Sequence, residues 1–137
     1  MEVLVASVVL SIGLLGLAGL QASGLRVGQS SIHRGQAAQL AYDIVERMRV
    51  NAASAESYGL ELNDAAPEGD SVAARDLRDW RIRLRLLPAG TGSIDVNGRQ
   101  VTVVVQWDDA RGAGSSEATA REALRTAQFQ LEAQLGN

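Results

Sequence analysis

The sequence predicts an α+β fold in which one long N-terminal helix lies against a small antiparallel sheet. Three observations carry that reading. Val3 to Leu25 contains no charged residue, so the chain opens on an apolar run of membrane-spanning length. No proline occurs before Pro67, and between Ile32 and Met48 apolar residues recur at three/four spacing. Asn97-Gly98, flanked by short β-rich runs, is the strongest two-residue hairpin signal in the chain.

The apolar run comes first in the chain. A hydrocarbon core of ~30 Å requires ~20 helical residues, so residues 1–25 form the membrane or assembly half of the helix. A cleaved signal peptide would need a basic n-region and a shorter apolar stretch, and neither is present. A 23-residue uncharged helix is also hard to bury in a chain of 137 residues. Gly13, Gly16 and Gly19 recur at spacing three, with Ser7/Ser11 and Ala18/Ala22 at spacing four, and small residues let membrane helices approach closely. Glu2 stands alone at the edge of the span. Two readings of it stand: an interfacial carboxylate favoured by the positive end of the helix dipole, or a charge awaiting a partner. Arg26 and Arg34 follow the span and nothing basic precedes it. By the positive-inside bias, either the C-terminal part is cytoplasmic or a basic leader belongs upstream.

The helix continues beyond the span. Ile32, Ala37, Leu40, Ala41, Ile44, Val45 and Met48 form an apolar stripe, with Asp43, Glu46, Arg47 and Arg49 directed elsewhere, and the helix is expected to run to about Ala55. Residues 26–137 are the expected head. From Glu56 to Gly69 periodicity is lost and Gly, Asn, Asp and Pro accumulate, which predicts a loop. Asp70 or Ser71 then caps a helix over Ser71–Leu87, in which Leu77, Trp80, Leu84 and Leu87 share a face. A strand is its rival, because Trp80, Ile82, Leu84 and Leu86 also alternate with Arg81, Arg83 and Arg85. Length favours the helix. Ser93–Val96, Asn97-Gly98 and Arg99–Trp107 read as a hairpin with Val101, Val103, Val105 and Trp107 on one face. That face needs a cover, and the Ile44–Met48 stripe is the long one available. Thr102, Val104 and Gln106 are expected to be partly exposed, or covered by the Leu77–Trp80–Leu84 face. Asp108 to Ser116 reads as a polar loop. In the last segment, Leu124, Ala127, Leu131 and Leu135 fit a helix, while Ala127, Phe129, Leu131, Ala133 and Leu135 fit a strand. Periodicity leaves that choice open.

Composition narrows the function. The absence of cysteine excludes disulfides, thiolate metal sites and cysteine nucleophiles, and a single histidine, His33, leaves no histidine-based triad or metal set. His33 reads as a surface residue. Asp108-Asp109 reads as a turn or solvated loop ahead of a calcium site. A net charge of −3 argues against a broad nucleic-acid surface. Arg75, Arg78, Arg81, Arg83 and Arg85 do cluster, but Asp76 and Asp79 are interleaved, so surface ion pairs are the expected use and DNA the lesser one. Phosphate-binding loops and nucleophile elbows are absent from the sequence. No enzyme is expected, and no cofactor.

MEVLVASVVLSIGLLGLAGLQ resembles the N-terminal signature of type IV pilins, in which Gly-Phe-Thr-Leu-Ile/Met-Glu is followed by Val-Leu-Val-Ala and a long apolar run. AQLAYDIVERMRVN, DLRDWRIRLRLLP and VTVVVQWDD are most similar to the minor-pilin branch called PilV. The Gly-Phe-Thr-Leu and basic leader of the family do not precede Met1, so a late-assigned start or a truncated chain is expected. The resemblance implies a pilin-like fold and a tail strand at about 126–135. It also implies a non-enzymatic subunit that primes pilus assembly and supports twitching and adhesion. Such a subunit would be processed by prepilin peptidase and methylated, sit single-pass in the inner membrane with a periplasmic head, and later enter the fibre. Its implied partners are other minor pilins, the major pilin, the inner-membrane assembly platform and a tip adhesin. Glu2 would pair with a neighbour's N-terminal amine, and Gly13, Gly16 and Gly19 would permit close helix packing. A type II secretion minor pseudopilin and a single-pass membrane adaptor or sensor are the alternatives.

Overall fold

The computed structural model describes residues 1–109 and 126–136. Its first element, α1, is a single helix over Glu2–Val50. With no proline to interrupt it, the backbone hydrogen bonding passes unbroken from the uncharged half into the amphipathic half. The α-helix stops at Val50 rather than near Ala55. The chain tightens instead into a 3₁₀ segment over Ala52–Tyr58, which carries Ala55 and Tyr58 into the core.

The second helix settles the ambiguity between helix and strand in the arginine-rich segment. α2 spans Val72–Leu84, and the Ser71 hydroxyl accepts the Ala74 amide at 3.1 Å as its N-cap. Leu77, Trp80 and Leu84 are buried, whereas Ile82 and Leu86 are 62% and 72% exposed. A strand would have put Ile82 and Leu86 beside Trp80 and Leu84; the structure keeps only the i, i+3/i+4 set inside. The helix ends before the expected Leu87, because Pro88 disfavours helical conformation in the preceding residue. Leu87 is nevertheless buried, in the turn that follows. In that turn Gly90 donates to the Leu87 carbonyl at 3.0 Å, and Ala89 adopts φ 48°. A Cβ on Gly90 would lie 1.9 Å from the Leu84 carbonyl oxygen, so only glycine fits there. Ala89→Gly should therefore stabilise the head by up to ~1 kcal/mol, since it removes the Cβ from a left-handed conformation. The readout is the unfolding midpoint of the full chain in detergent, and a lowered midpoint would contradict the argument.

The sheet has three antiparallel strands in the order β1 (Thr91–Asn97), β2 (Gln100–Asp108), β3 (Thr126–Gln134). Asp108 thus belongs to β2 and not to the following loop. The expected turn is displaced by one residue. Asn97 pairs with Gln100, so the two-residue loop is Gly98-Arg99, with Gly98 at φ 61° in its first position. Glycine at the first central position with positive φ suits a type II′ turn, which joins twisted strands well. The displacement changes the pairing from Val96 opposite Arg99 to Val96↔Val101 and Ile94↔Val103, so aliphatic partners meet. The residue faces are unchanged, because the register moves by two positions along β2.

The tail from Thr126 is a strand, with Ala127, Phe129, Leu131 and Ala133 turned to the core side. Leu124 and the 110–116 part of the expected loop lie outside the described residues.

Ala37, Leu40, Ala41, Ile44, Val45 and Met48 share one buried cluster with Leu77, Trp80, Leu84, Ile94, Val101, Val103, Val105 and Trp107. Ile32, expected on that stripe, is 59% exposed; it lies more than a turn below Ala37, the first buried residue of α1. Both helices cover the same face of the sheet, α1 against β2 and β3 and α2 against β1. Thr102, Val104 and Gln106 are half-exposed on the other face, so the alternative in which α2 covers them does not hold. Gly92 explains how α2 sits so close. A Cβ there would lie 2.6 Å from Trp80 Cη2, so the indole rests directly on the glycine backbone.

Candidate functional site

The surface that demands a partner is the first half of α1. Glu2–Ala22 has the length and composition of a membrane span, and none of it is buried. At 1.5 Å per residue its 21 residues extend ~31 Å, which matches a hydrocarbon core. Its few polar groups are disposed for that environment. The Ser7 hydroxyl donates to the Val3 carbonyl at 2.8 Å and the Ser11 hydroxyl to the Ser7 carbonyl at 2.7 Å. Both hydroxyls are therefore satisfied inside the helix, as an apolar medium requires.

Glu2 lies exposed in the first turn of α1. Added Cβ atoms on Gly13, Gly16 and Gly19 would meet nothing within 4 Å. Nothing among the described residues therefore requires those glycines, and each weakens the helix by ~1 kcal/mol relative to alanine. The structure does not bring Glu2 near the glycines. They lie about three to five turns further along one exposed rod.

Beside the buried stripe, a charged clasp that the sequence reading did not identify joins the rod to the head. Arg47 is directed at α2, not away from it. Its Nε, Nη1 and Nη2 donate to Asp43 (3.1 Å), Asp76 (3.1 Å) and Asp79 (2.8 Å). Arg83 reaches Asp43 and Asp79, both at 3.2 Å. The Tyr58 hydroxyl donates to Asp76 at 2.6 Å, and the Asn51 amide donates to Tyr58 at 3.3 Å. One guanidinium thereby ties α1 to two turns of α2, and Tyr58 adds the 3₁₀ segment. The available signals were the i, i+4 spacing of Asp43 and Arg47 and the i, i+3 spacing of Asp76 and Asp79. Desolvation pulls the Arg47 guanidinium down, but its carboxylate partners together outweigh it, so its ionisation lies above the ordinary arginine value.

The arginine cluster is largely consumed within the fold. Arg81 Nη2 donates to the Glu61 and Asp64 carbonyls (2.9 and 2.7 Å), and Nη1 donates to Leu62 O (3.3 Å) and Thr91 Oγ1 (3.0 Å). Arg78 binds the Pro67 and Gly69 carbonyls at 3.1 and 2.7 Å. These contacts hold the 59–69 loop against α2, and only Arg75, Arg83 and Arg85 of the cluster remain exposed. His33 is half-buried rather than a plain surface residue, and its Nδ1 atom is buried without a hydrogen-bond partner. Asp109 accepts the Ser30 hydroxyl at 3.0 Å, tying the end of β2 to α1. No group of three or more metal-ligating side chains forms among the described residues.

Burial first, then the hydrogen bond to Asp76, pushes the Tyr58 phenol above the usual tyrosine range. A group whose ionisation is raised by folding contributes stability below its unfolded value of ~10, and that contribution is lost as pH climbs through the folded value. The unfolding midpoint of the full chain in detergent should therefore fall above about pH 10. Tyr58→Phe should remove that part of the decline. An unchanged alkaline slope in the variant would exclude Tyr58 as its source.

Residues 19–75 match the family model Tt1218-like, described as type IV pilin Tt1218. The matched segment runs from the upper part of the apolar half of α1, through the amphipathic half and the 59–69 loop, into the first turn of α2. No curated protein and no solved structure matches the chain. The family match supports a type IV pilin assignment and, with it, a structural subunit that assembles with other pilus components. The apolar N-terminal helix fits a membrane-anchored pilin that ends in a pilus.

Proposed function

We propose that this chain is a minor pilin of the PilV type, a non-enzymatic subunit that primes pilus assembly and supports twitching and adhesion. The observation that carries the reading is the continuity of α1. One helix supplies a wholly uncovered apolar half and the buried stripe on which the head is built, so the head cannot be positioned independently of its anchor. In this proposal the apolar half rests in the inner membrane with the head in the periplasm, then moves into the fibre among the helices of the major pilin and other minor pilins. The assembly platform and a tip adhesin are the further partners. Prepilin-peptidase processing and methylation of the N-terminus belong to the same proposal.

Glu2 is the assembly residue. A carboxylate and an amine are each costly in lipid and become tolerable when they meet, and their pairing fixes the axial offset between neighbouring helices. Gly13, Gly16 and Gly19 allow those helices to approach. In a piliated host, Glu2→Ala should leave the membrane-bound amount unchanged and lower recovery in sheared pili at least tenfold, the equivalent of ~1.4 kcal/mol. Wild-type recovery in sheared pili would refute the pairing role. Absence of the wild-type protein itself from sheared pili would favour the membrane adaptor or sensor reading.

A further inference from the structure

The two edges of the sheet are finished differently. Leu135 N–H donates to the Arg99 carbonyl at 2.8 Å, which fixes the alternation along β3: the odd-numbered residues direct their backbone groups to β2. Thr126, Gln128, Gln130, Glu132 and Gln134 then direct theirs outward, where none of the described residues pairs with them. By the same rule Gly92, Ile94 and Val96 direct theirs off the β1 edge. That edge is guarded. Leu60 and Ile94 exchange both backbone hydrogen bonds (2.9 and 2.8 Å), Arg81 holds the covering loop in place, and Glu56, Glu61, Asp64 and Asp95 flank it.

Among the described residues the core is likewise complete on one side only. Ile94 of β1 and Val103 of β2 are 2% and 0% exposed, whereas Leu131, opposite Val103 on β3, and its neighbour Phe129 are only half-buried. The β3 edge carries no proline, glycine or basic residue, the usual devices that keep an edge strand single. Its one charge, Glu132, accepts the Gln130 amide at 3.1 Å and forms no ion pair among the described residues.

We propose that the outer edge of β3 receives an extended segment of a different protein, which adds a fourth strand to the sheet. Its apolar residues would alternate to cover Phe129 and Leu131, and a Lys or Arg would face Glu132. A second copy paired antiparallel does not fit. Antiparallel pairing of two β3 strands requires a two-fold axis perpendicular to the sheet, which points the two α1 helices in opposite directions and forbids a shared membrane. The β1 edge of a second copy is already engaged by Leu60. This exclusion rests on the membrane-anchored reading of α1; the open edge itself does not.

The test uses the full chain in detergent and a synthetic nonapeptide that alternates Thr and Val around a central Arg. Without peptide, amide hydrogen exchange should be fast at Gln128, Gln130 and Glu132 and slow at Phe129 and Leu131. With saturating peptide, the three even-numbered amides should slow at least tenfold. Gln130→Pro removes an outward N–H without touching the bonds to β2, so it should abolish peptide protection while leaving Phe129 and Leu131 slow. Slow exchange at the even-numbered residues in the peptide-free monomer would mean the edge is already covered and would overturn the proposal. So would failure of the peptide to bind, or binding that survives Gln130→Pro. A β3-mediated dimer of the chain would overturn the choice of occupant. None of these outcomes bears on recovery in pili, so this proposal and the pilin reading can fail separately.

Discussion

Trp80→Ala is expected to destabilise the head by ~3–5 kcal/mol, in the range of large aromatic deletions from a packed core. Trp80 is 1% exposed and sits where α1, α2 and β1 meet. Its Nε1–H donates to the Leu40 carbonyl at 2.9 Å, and its ring lies on Gly92. Deleting it removes the contact between α2 and β1 and leaves a void that neither the long α1 nor the paired β1 can close by moving. A partner substitution separates packing from general damage. Gly92→Ala alone should cost ~1–3 kcal/mol as an overpacking change, because its Cβ would meet Cη2. In a Trp80→Phe background, which lacks that atom, the same change should cost less. Relief should stay incomplete, since the Cβ would also lie 2.9 Å from the Val104 carbonyl oxygen. Urea unfolding of the full chain in detergent, followed by tryptophan fluorescence, reads all four states, since Trp107 is present in each. Additive costs would mean that the indole does not press on Gly92.

The second large effect concerns the face shared by helix and sheet. Ile44→Ala should cost ~2–5 kcal/mol as a large-to-small core substitution. Ile44 is fully buried in the cluster that also contains Val103. Combined with Val103→Ala, the losses should be non-additive by at least ~0.5 kcal/mol, as for residues that share a cavity. Strict additivity would mean that α1 supports the sheet through Met48 and Val45 and not through Ile44.

Several features were legible without any tertiary information because they depend on neighbours in sequence. The 23-residue uncharged run marked the uncovered half of α1, the proline-free stretch gave a single helix, and Asp70 or Ser71 marked the start of α2, where Ser71 proves to be the cap. The faces of β2 were also readable, since strand alternation survives a displaced turn. The turn itself was misplaced by one residue. Asn97-Gly98 is the stronger local signal, but cross-strand packing of Val96 on Val101 and Ile94 on Val103 outweighs it. The 3₁₀ turn after Val50 escaped notice because alanine-rich sequence continues a helix by propensity; it is the burial of Ala55 and Tyr58 that bends the chain.

Glu2 and the glycines illustrate the other limit. Their types and positions stand in the sequence, yet Glu2 is exposed and Cβ atoms added at the glycines meet nothing within 4 Å, so the role proposed for them rests on contacts with other molecules.

The sequence by itself determined the uncovered apolar run, the continuous helix and the valine face of the hairpin, because periodicity and composition act over a few residues; between helix and strand for the arginine-rich segment it only favoured the helix. Periodicity left Thr126–Gln134 open and the pilin resemblance implied a strand there; the tertiary structure forms that strand, although Gln, Ala and Glu favour a helix, because the free edge of β2 offers nine paired positions. The tertiary structure alone decided that Arg47 turns inward and that two arginines of the cluster, Arg78 and Arg81, are used to hold a loop. The reason is physical: a charged side chain at a surface position has no preferred direction until folding brings carboxylates or carbonyls within ~3 Å, and two of the three carboxylates around Arg47 come from a helix some thirty residues away.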